Sequence, residues 1–201
     1  LPDLAALLEG TSLDVAPRLL GCVLRHGEVA LRISEVEAYA GPDDPGSHAY
    51  RGRTARNAVM FGPAGHLYCY FTYGMHVCAN VVAGAEGDPG GVLIRAGEVV
   101  AGVDLARARR PGASDRDLAR GPARLCRALA IGLDHDGTDL ASGDVRLEPG
   151  EPVTTVSTGP RVGLRAASDR RWRFWITSDP TVSVYRPAAP LRRRGPGVND
   201  A

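Results

Sequence analysis

Apolar and polar residues alternate along much of the chain. "CVLRHGEVALRISEVEAY", Cys22 to Tyr39, alternates and breaks at His26-Gly27, which predicts a hairpin running into a long strand. "HLYCYFTYGMHVCANV", His66 to Val81, alternates in the same way and folds back around Tyr73-Gly74. "GVLIRAGEVV" predicts a further strand, and "VRLEP", "PVTTVS" and "WRFWITS" predict short ones. Helices are expected over residues 3–9, 14–20, 102–110 and 122–131. The last is entered by Gly121-Pro122, and proline suits a first helical turn. "GPDDPGSHAYRGRTARN" is dense in turn residues and predicts a loop, with a helical turn after Thr54. Strands and helices come in runs without βαβ alternation. The expected class is α+β, a single domain over residues 1–201 with a largely antiparallel sheet. Its Pro-, Gly- and Arg-rich end, 190–201, is expected to fray.

The turn at Tyr73-Gly74 is unusual. Hairpin tips face water and ordinarily carry small polar residues. Here a tyrosine and Met75 flank the glycine.

Composition narrows the classes. The 201 residues are 44% apolar and 23% charged, an ordinary globular balance. No window approaches the eighteen or so apolar residues of a membrane span, and the first residues do not resemble a signal peptide. Four cysteines without CxxC spacing make a cysteine zinc site unexpected, and an intracellular, reducing setting is the plain reading. All 24 basic residues are arginine, which excludes lysine Schiff-base chemistry and a lysine-dependent phosphate loop. The net charge of +1 hides an uneven distribution. Residues 107–127 carry seven Arg against two acids, and residues 146–201 ten against five. Such segments can form a polyanion-binding face or simply a solvated surface.

The candidate chemistry gathers in "SEVEAYAG". Glu35 and Glu37 lie two apart on a predicted strand, so they share a face about 6–7 Å apart. That separation overlaps the range for paired carboxylates in sugar hydrolysis, but parallel side chains on one strand do not readily flank a bond. One working carboxylate with a structural neighbour is the better assignment, against the plain alternative of two exposed strand residues. Tyr39 and His48 follow within eleven residues, on the loop that starts where the strand ends. The second hairpin adds Tyr68, Tyr70 and Asn80, with the two tyrosines on one face.

These segments, with "GGVLIRA", "GPARLCRALAI" and "PRVGL", resemble the alkyladenine (3-methylpurine) DNA glycosylase family from about Leu20 to Val184. The resemblance implies a compact α+β domain whose curved, largely antiparallel sheet has flanking helices and a protruding β-hairpin that enters the minor groove of DNA. It implies excision of alkylated or deaminated purines such as 3-methyladenine, 7-methylguanine, hypoxanthine and ethenoadenine. The partner is double-stranded DNA. No cofactor, metal or membrane is involved, and the protein is expected to be a monomer in the cytoplasm or nucleoid. By position, Glu37 matches the general base that activates water, and Arg95 a residue beside that water. Tyr39, His48 and Tyr70 match the walls around a flipped base. Asn80 matches the residue that crowds the guanine 2-amino group. Tyr73 and Met75 match the groove-entering tip, and Arg53, Thr54 and Arg56 match backbone contacts. Without lysine, the enzyme is expected to be monofunctional, leaving an abasic site. Two alternatives stay open: a non-catalytic nucleic-acid module of the same fold, and a sugar hydrolase using Glu35 with Glu37.

Overall fold

The computed structural model describes residues 3–72 and 74–189. Tyr73 and the tail from 190 to 201 lie outside them, as do the expectations for both. Eight strands form one sheet: β1 Val23–His26, β2 Val29–Tyr39, β3 Leu67–Thr72, β4 His76–Ala83, β5 Gly90–Ala101, β6 Val145–Glu148, β7 Val156–Gly159 and β8 Arg173–Ile176. The helices are α1 Leu4–Leu7, α2 Ser12–Arg18, α3 Val103–Arg109 and α4 Pro122–Leu129, with a longer 3-10 turn at Ala55–Phe61. Every strand pair is antiparallel, in the order β3-β4-β5-β2-β1-β6.

Strand β2 organises the sheet. Its first half pairs with β1 and its second half with β8 on one edge, while β5 pairs along the other. Ile33 faces Gly97 and Glu35 faces Ala96, so Ser34 is an extra residue on β2; Val36 then faces Ile94, leaving Arg95 extra on β5. Paired bulges bend strands and re-aim side chains, and they curl this sheet at the position of the two glutamates. Gly97 is required there, because a Cβ would collide with the Arg32 carbonyl oxygen. Gly41, at φ +61 against the Pro89 carbonyl, turns the chain away after β2.

Alternation sorts the two faces. Leu31, Ile33, Val36 and Ala38 join Val81, Ile94, Leu125 and Leu129 in the main core, beneath α2 and α4. The step of three between Ile33 and Val36 is the bulge written into the hydrophobic pattern. On the opposite face a second cluster of Ala49, Met60, Tyr68 and Val82 forms under the loop of residues 41–61. The result is a single compact α+β domain, with no helix among the described residues long and apolar enough to cross a membrane. All four cysteines are buried and unpaired. Two expectations shift. Strand β7 forms at Val156–Gly159 rather than over "PVTTVS", because its pairing with β8 sets the register. Helix α2 begins two residues early, at Ser12, where Thr11 and Asp14 cap each other.

Candidate active site

Strand register lines up one row of side chains on the face away from the core. Glu37 pairs with Leu93, Leu93 with Asn80, and Asn80 with Tyr68. Tyr68 and Asn80 of this row, with Tyr39, Gly46, His48, Met60, Tyr70 and Leu164, line an open cavity of about 90 Å³. Its aromatic walls are tightly set. The Tyr68 and Tyr70 rings stack at 5.7 Å, and the His48 ring meets Tyr70 edge-on at 4.4 Å. His48 Nδ1 lies 3.0 Å from the Tyr68 hydroxyl. The Asn80 amide donates to the Tyr68 carbonyl at 3.1 Å.

These groups are uncharged at neutral pH. Burial pushes the Tyr68 phenol up to about 12 and also raises Tyr70 and Tyr39, Glu37 adding to the rise at Tyr39. Burial, aided by Arg56, holds His48 below its ordinary value.

Glu37 lies beside this cavity rather than in its lining, and both its oxygens are engaged. Oε2 accepts the Tyr39 hydroxyl at 2.9 Å; Oε1 accepts the Val162 N–H at 2.6 Å and faces Arg95 Nη1 at 3.2 Å. Glu35 is more heavily bound. It accepts Arg95 Nε at 2.8 Å, the Ser183 N–H at 2.7 Å and the Ser183 hydroxyl at 3.0 Å, and faces Arg173 at 3.4 Å. Neither acid is exposed, so the reading of two solvated strand residues is overturned. Four donors hold Glu35 and none of them lines the cavity, whereas Glu37 is tied to the cavity through Tyr39, so a sugar hydrolase built on the pair lacks a second carboxylate facing it. Burial opposes the charge of Arg95, but Glu37 and Glu35 outweigh it and hold the guanidinium firmly protonated.

Behind the cavity stands a second buried ion pair. Arg161 grips Asp44 through both terminal nitrogens, at 2.5 and 2.7 Å, and donates to the Ala38 carbonyl at 3.0 Å. Its guanidinium lies 4.6 Å from the Tyr39 ring centre and 5.0 Å from Trp172. Tyr39 is thus fixed by a hydrogen bond at its hydroxyl and a cation against its ring.

The loop carrying His48 is held by Asn57, whose amide donates to the His48 and Gly52 carbonyls at 2.9 and 3.0 Å. Thr54 and Asn57 cap each other at the start of the 3-10 turn. Arg53, Thr54 and Arg56 are all exposed, and Arg56 donates to the Phe71 carbonyl at 3.1 Å. Met75 is 67% exposed. Beside it, a groove is lined by Met75, His76, Arg110, Arg124 and Arg127, and none of these arginines pairs with an acid among the described residues.

Six of the candidates are therefore brought together: Glu37, Arg95, Tyr39, His48, Tyr70 and Asn80. Arg53, Thr54, Arg56 and Met75 lie outside the cavity, and Tyr73 is outside the described residues. Sequence reasoning missed Asp44, Asn57, Arg161 and Ser183. "PRVGL" supplies both Arg161 and the Val162 N–H, and its place beside β2 had no local signal.

A sheet face that sets an uncharged aromatic cavity beside a buried carboxylate defines a class of site suited to holding a planar ligand next to a base. The family model for "Methylpurine-DNA glycosylase (MPG)" matches residues 6–180. The chain is 55% identical over 193 residues to a Streptomyces avermitilis protein, covering 90% of this chain and 91% of that one. It is 54% identical over 187 residues to one from Nocardia farcinica, covering 87% and 88%. A Frankia casuarinae protein is 50% identical over 206 residues, covering 96% of each. All three carry the name "Putative 3-methyladenine DNA glycosylase". The chain belongs to the methylpurine-DNA glycosylase family.

Proposed function

We propose that the protein removes alkylated or deaminated purines from duplex DNA by hydrolysing the N-glycosidic bond, and that it leaves the abasic strand intact. The observation that carries this reading is the Tyr39 hydroxyl on Glu37 at 2.9 Å, which links a buried carboxylate to an aromatic cavity. A base inside a duplex is out of reach, so it must be extruded at a cost of a few kcal/mol. Tyr73 enters the minor groove and fills the gap, with Met75 against the neighbouring bases. Tyr39 and Tyr70 stack on the flipped purine, a gain that is larger for an electron-poor, cationic alkylated ring. Asn80 crowds the 2-amino group that guanine carries and adenine lacks.

Glu37 takes a proton from water as the oxygen attacks C1′ and the bond to the purine breaks. Its charge, with Arg95 beside it, also faces the oxocarbenium-like sugar. The glycosidic electron pair leaves with the base, and a cationic 3-methyladenine nucleotide releases it as a neutral molecule. Lysine is missing from the sequence, so no lysine amine can form a Schiff base with the abasic sugar. Arg53, Thr54, Arg56 and the groove arginines Arg110, Arg124 and Arg127 face phosphates.

The experiment is a base-release assay on a panel of lesions in duplex DNA, comparing wild type with Glu37→Gln. Release should fall roughly 10²–10⁴-fold while DNA affinity changes little. Undiminished release would refute the role of Glu37, and no release by the wild type from any lesion would favour a non-catalytic binding module.

A further inference from the structure

On the far edge of the sheet, three metal-binding side chains converge that the proposed reaction does not use. His26 ends β1, His135 closes the 3-10 turn Leu133–His135, and Asp144 precedes β6. His26 Nε2 and His135 Nε2 are 3.3 Å apart, and Asp144 Oδ2 is 3.7 Å from His135 Nε2. One donor atom from each residue falls within 4.8 Å of the others. Two imidazole nitrogens bound to one tetrahedral zinc at about 2.0–2.1 Å stand roughly 3.3–3.4 Å apart, the separation seen here.

The outer contacts fix the His26 ring for ligation and leave His135 a choice of tautomer. His26 Nδ1 donates to the Leu129 carbonyl at 2.7 Å, which leaves Nε2 as a lone pair. His135 Nδ1 lies 3.1 Å from the Asp134 carboxylate, the carboxylate–histidine arrangement that frees Nε2 for a metal. The Gly132 N–H donates to the same Nδ1 at 3.1 Å, so without an ion His135 Nε2–H donates to His26 Nε2, and ligation requires Nδ1 to carry the proton toward Asp134 instead. With Asp134 as partner, two lone pairs meet at 3.3 Å and need a cation between them. Asp144 is exposed and spends Oδ1 on the Val145 N–H, leaving Oδ2 turned to the histidines.

We propose that His26, His135 and Asp144 bind a zinc-class divalent ion, with water completing a tetrahedron. The ion ties the β1–β2 turn to the segment 132–144. That segment brackets β3: the Leu67 N–H donates to Thr138, the Gly137 N–H to Leu67 and the Cys69 N–H to Asp136, each at 2.8 Å. Strand β3 carries Tyr68 and Tyr70, so the ion braces the cavity wall from outside and takes no part in hydrolysis.

The test uses tag-free protein stripped with chelator and then dialysed against Zn²⁺ or Co²⁺. One ion per chain is expected, with the visible absorption of tetrahedral Co²⁺ and a higher Tm on adding Zn²⁺. Binding should weaken as pH falls through the histidine range, because protonated imidazoles cannot ligate. Asp144→Asn, a change at an exposed residue, should bind at least tenfold more weakly, and His26→Gln should lose stoichiometric binding. Wild-type protein that takes up no stoichiometric ion would overturn the proposal and leave the histidine–histidine hydrogen bond. Uptake that Asp144→Asn and His26→Gln leave unaltered would overturn it equally, by placing the ion elsewhere.

Discussion

The Tyr39 hydroxyl donates to Glu37 Oε2 at 2.9 Å, and both side chains rise from the same strand two residues apart. This bond joins the buried acid to the cavity. Tyr39→Phe keeps the ring and its contact with Arg161 but removes the bond. A hydrogen bond to a charged group contributes about 1.5–3 kcal/mol, so single-turnover excision should fall roughly tenfold or more with little change in DNA affinity. An unaltered single-turnover rate would show that the phenol has no part in the reaction.

Glu35 and Glu37 separate by their effects on stability. Removing Glu35 leaves buried Arg173 without an acid partner among the described residues and leaves buried Arg95 with Glu37 alone. Leaving such a charge unpaired costs about 3–5 kcal/mol, so Glu35→Ala should unfold at markedly lower urea than wild type. Stability equal to wild type would contradict the structural role assigned to Glu35.

Asp44 supplies a pH signature. Burial opposes its charge, but the Arg161 guanidinium and two backbone N–H groups outweigh this and hold the carboxyl below its usual range. Because the folded value lies below the unfolded one, the pair's contribution is complete above about pH 4 and is lost as pH falls through the folded value. Urea melts of wild type and Asp44→Asn should therefore differ most near neutrality and converge in acid. A gap that stays constant down to pH 2 would show that the carboxylate charge is not what matters.

The groove beside Met75 makes an electrostatic prediction. Burial and the neighbouring Arg124 and Arg127 disfavour the charge of Arg110, so an incoming phosphate relieves real repulsion. Arg124→Gln and Arg127→Gln should each weaken DNA binding at low salt. Each should also flatten the slope of log affinity against log salt by about one unit. Unchanged slopes would put the DNA elsewhere.

Much of this protein was legible in one dimension. Alternation in Cys22–Tyr39 and His66–Val81 marked the strands, because a half-buried sheet forces a period of two. Motif order marked Glu37, Tyr39, His48, Tyr70, Asn80 and Arg95, six residues that meet in space. The bulges at Ser34 and Arg95 were not legible, since an extra residue is defined only against its partner strand. Nor was the difference between Glu35 and Glu37, identical acids two positions apart.

That difference comes from distant chain. Ser183 and Arg173 hold Glu35, while the Val162 N–H and the Tyr39 hydroxyl leave Glu37 tied to the cavity. The sequence by itself determined the elements, the class of fold and the set of chemical groups, because backbone period and residue type are local properties. Three-dimensional packing alone set which acid is tied to the cavity, that Asp44 and Arg161 pair behind Tyr39, and that His26 meets His135. Those outcomes depend on contacts between residues more than a hundred positions apart, whose desolvation and pairing no local window contains.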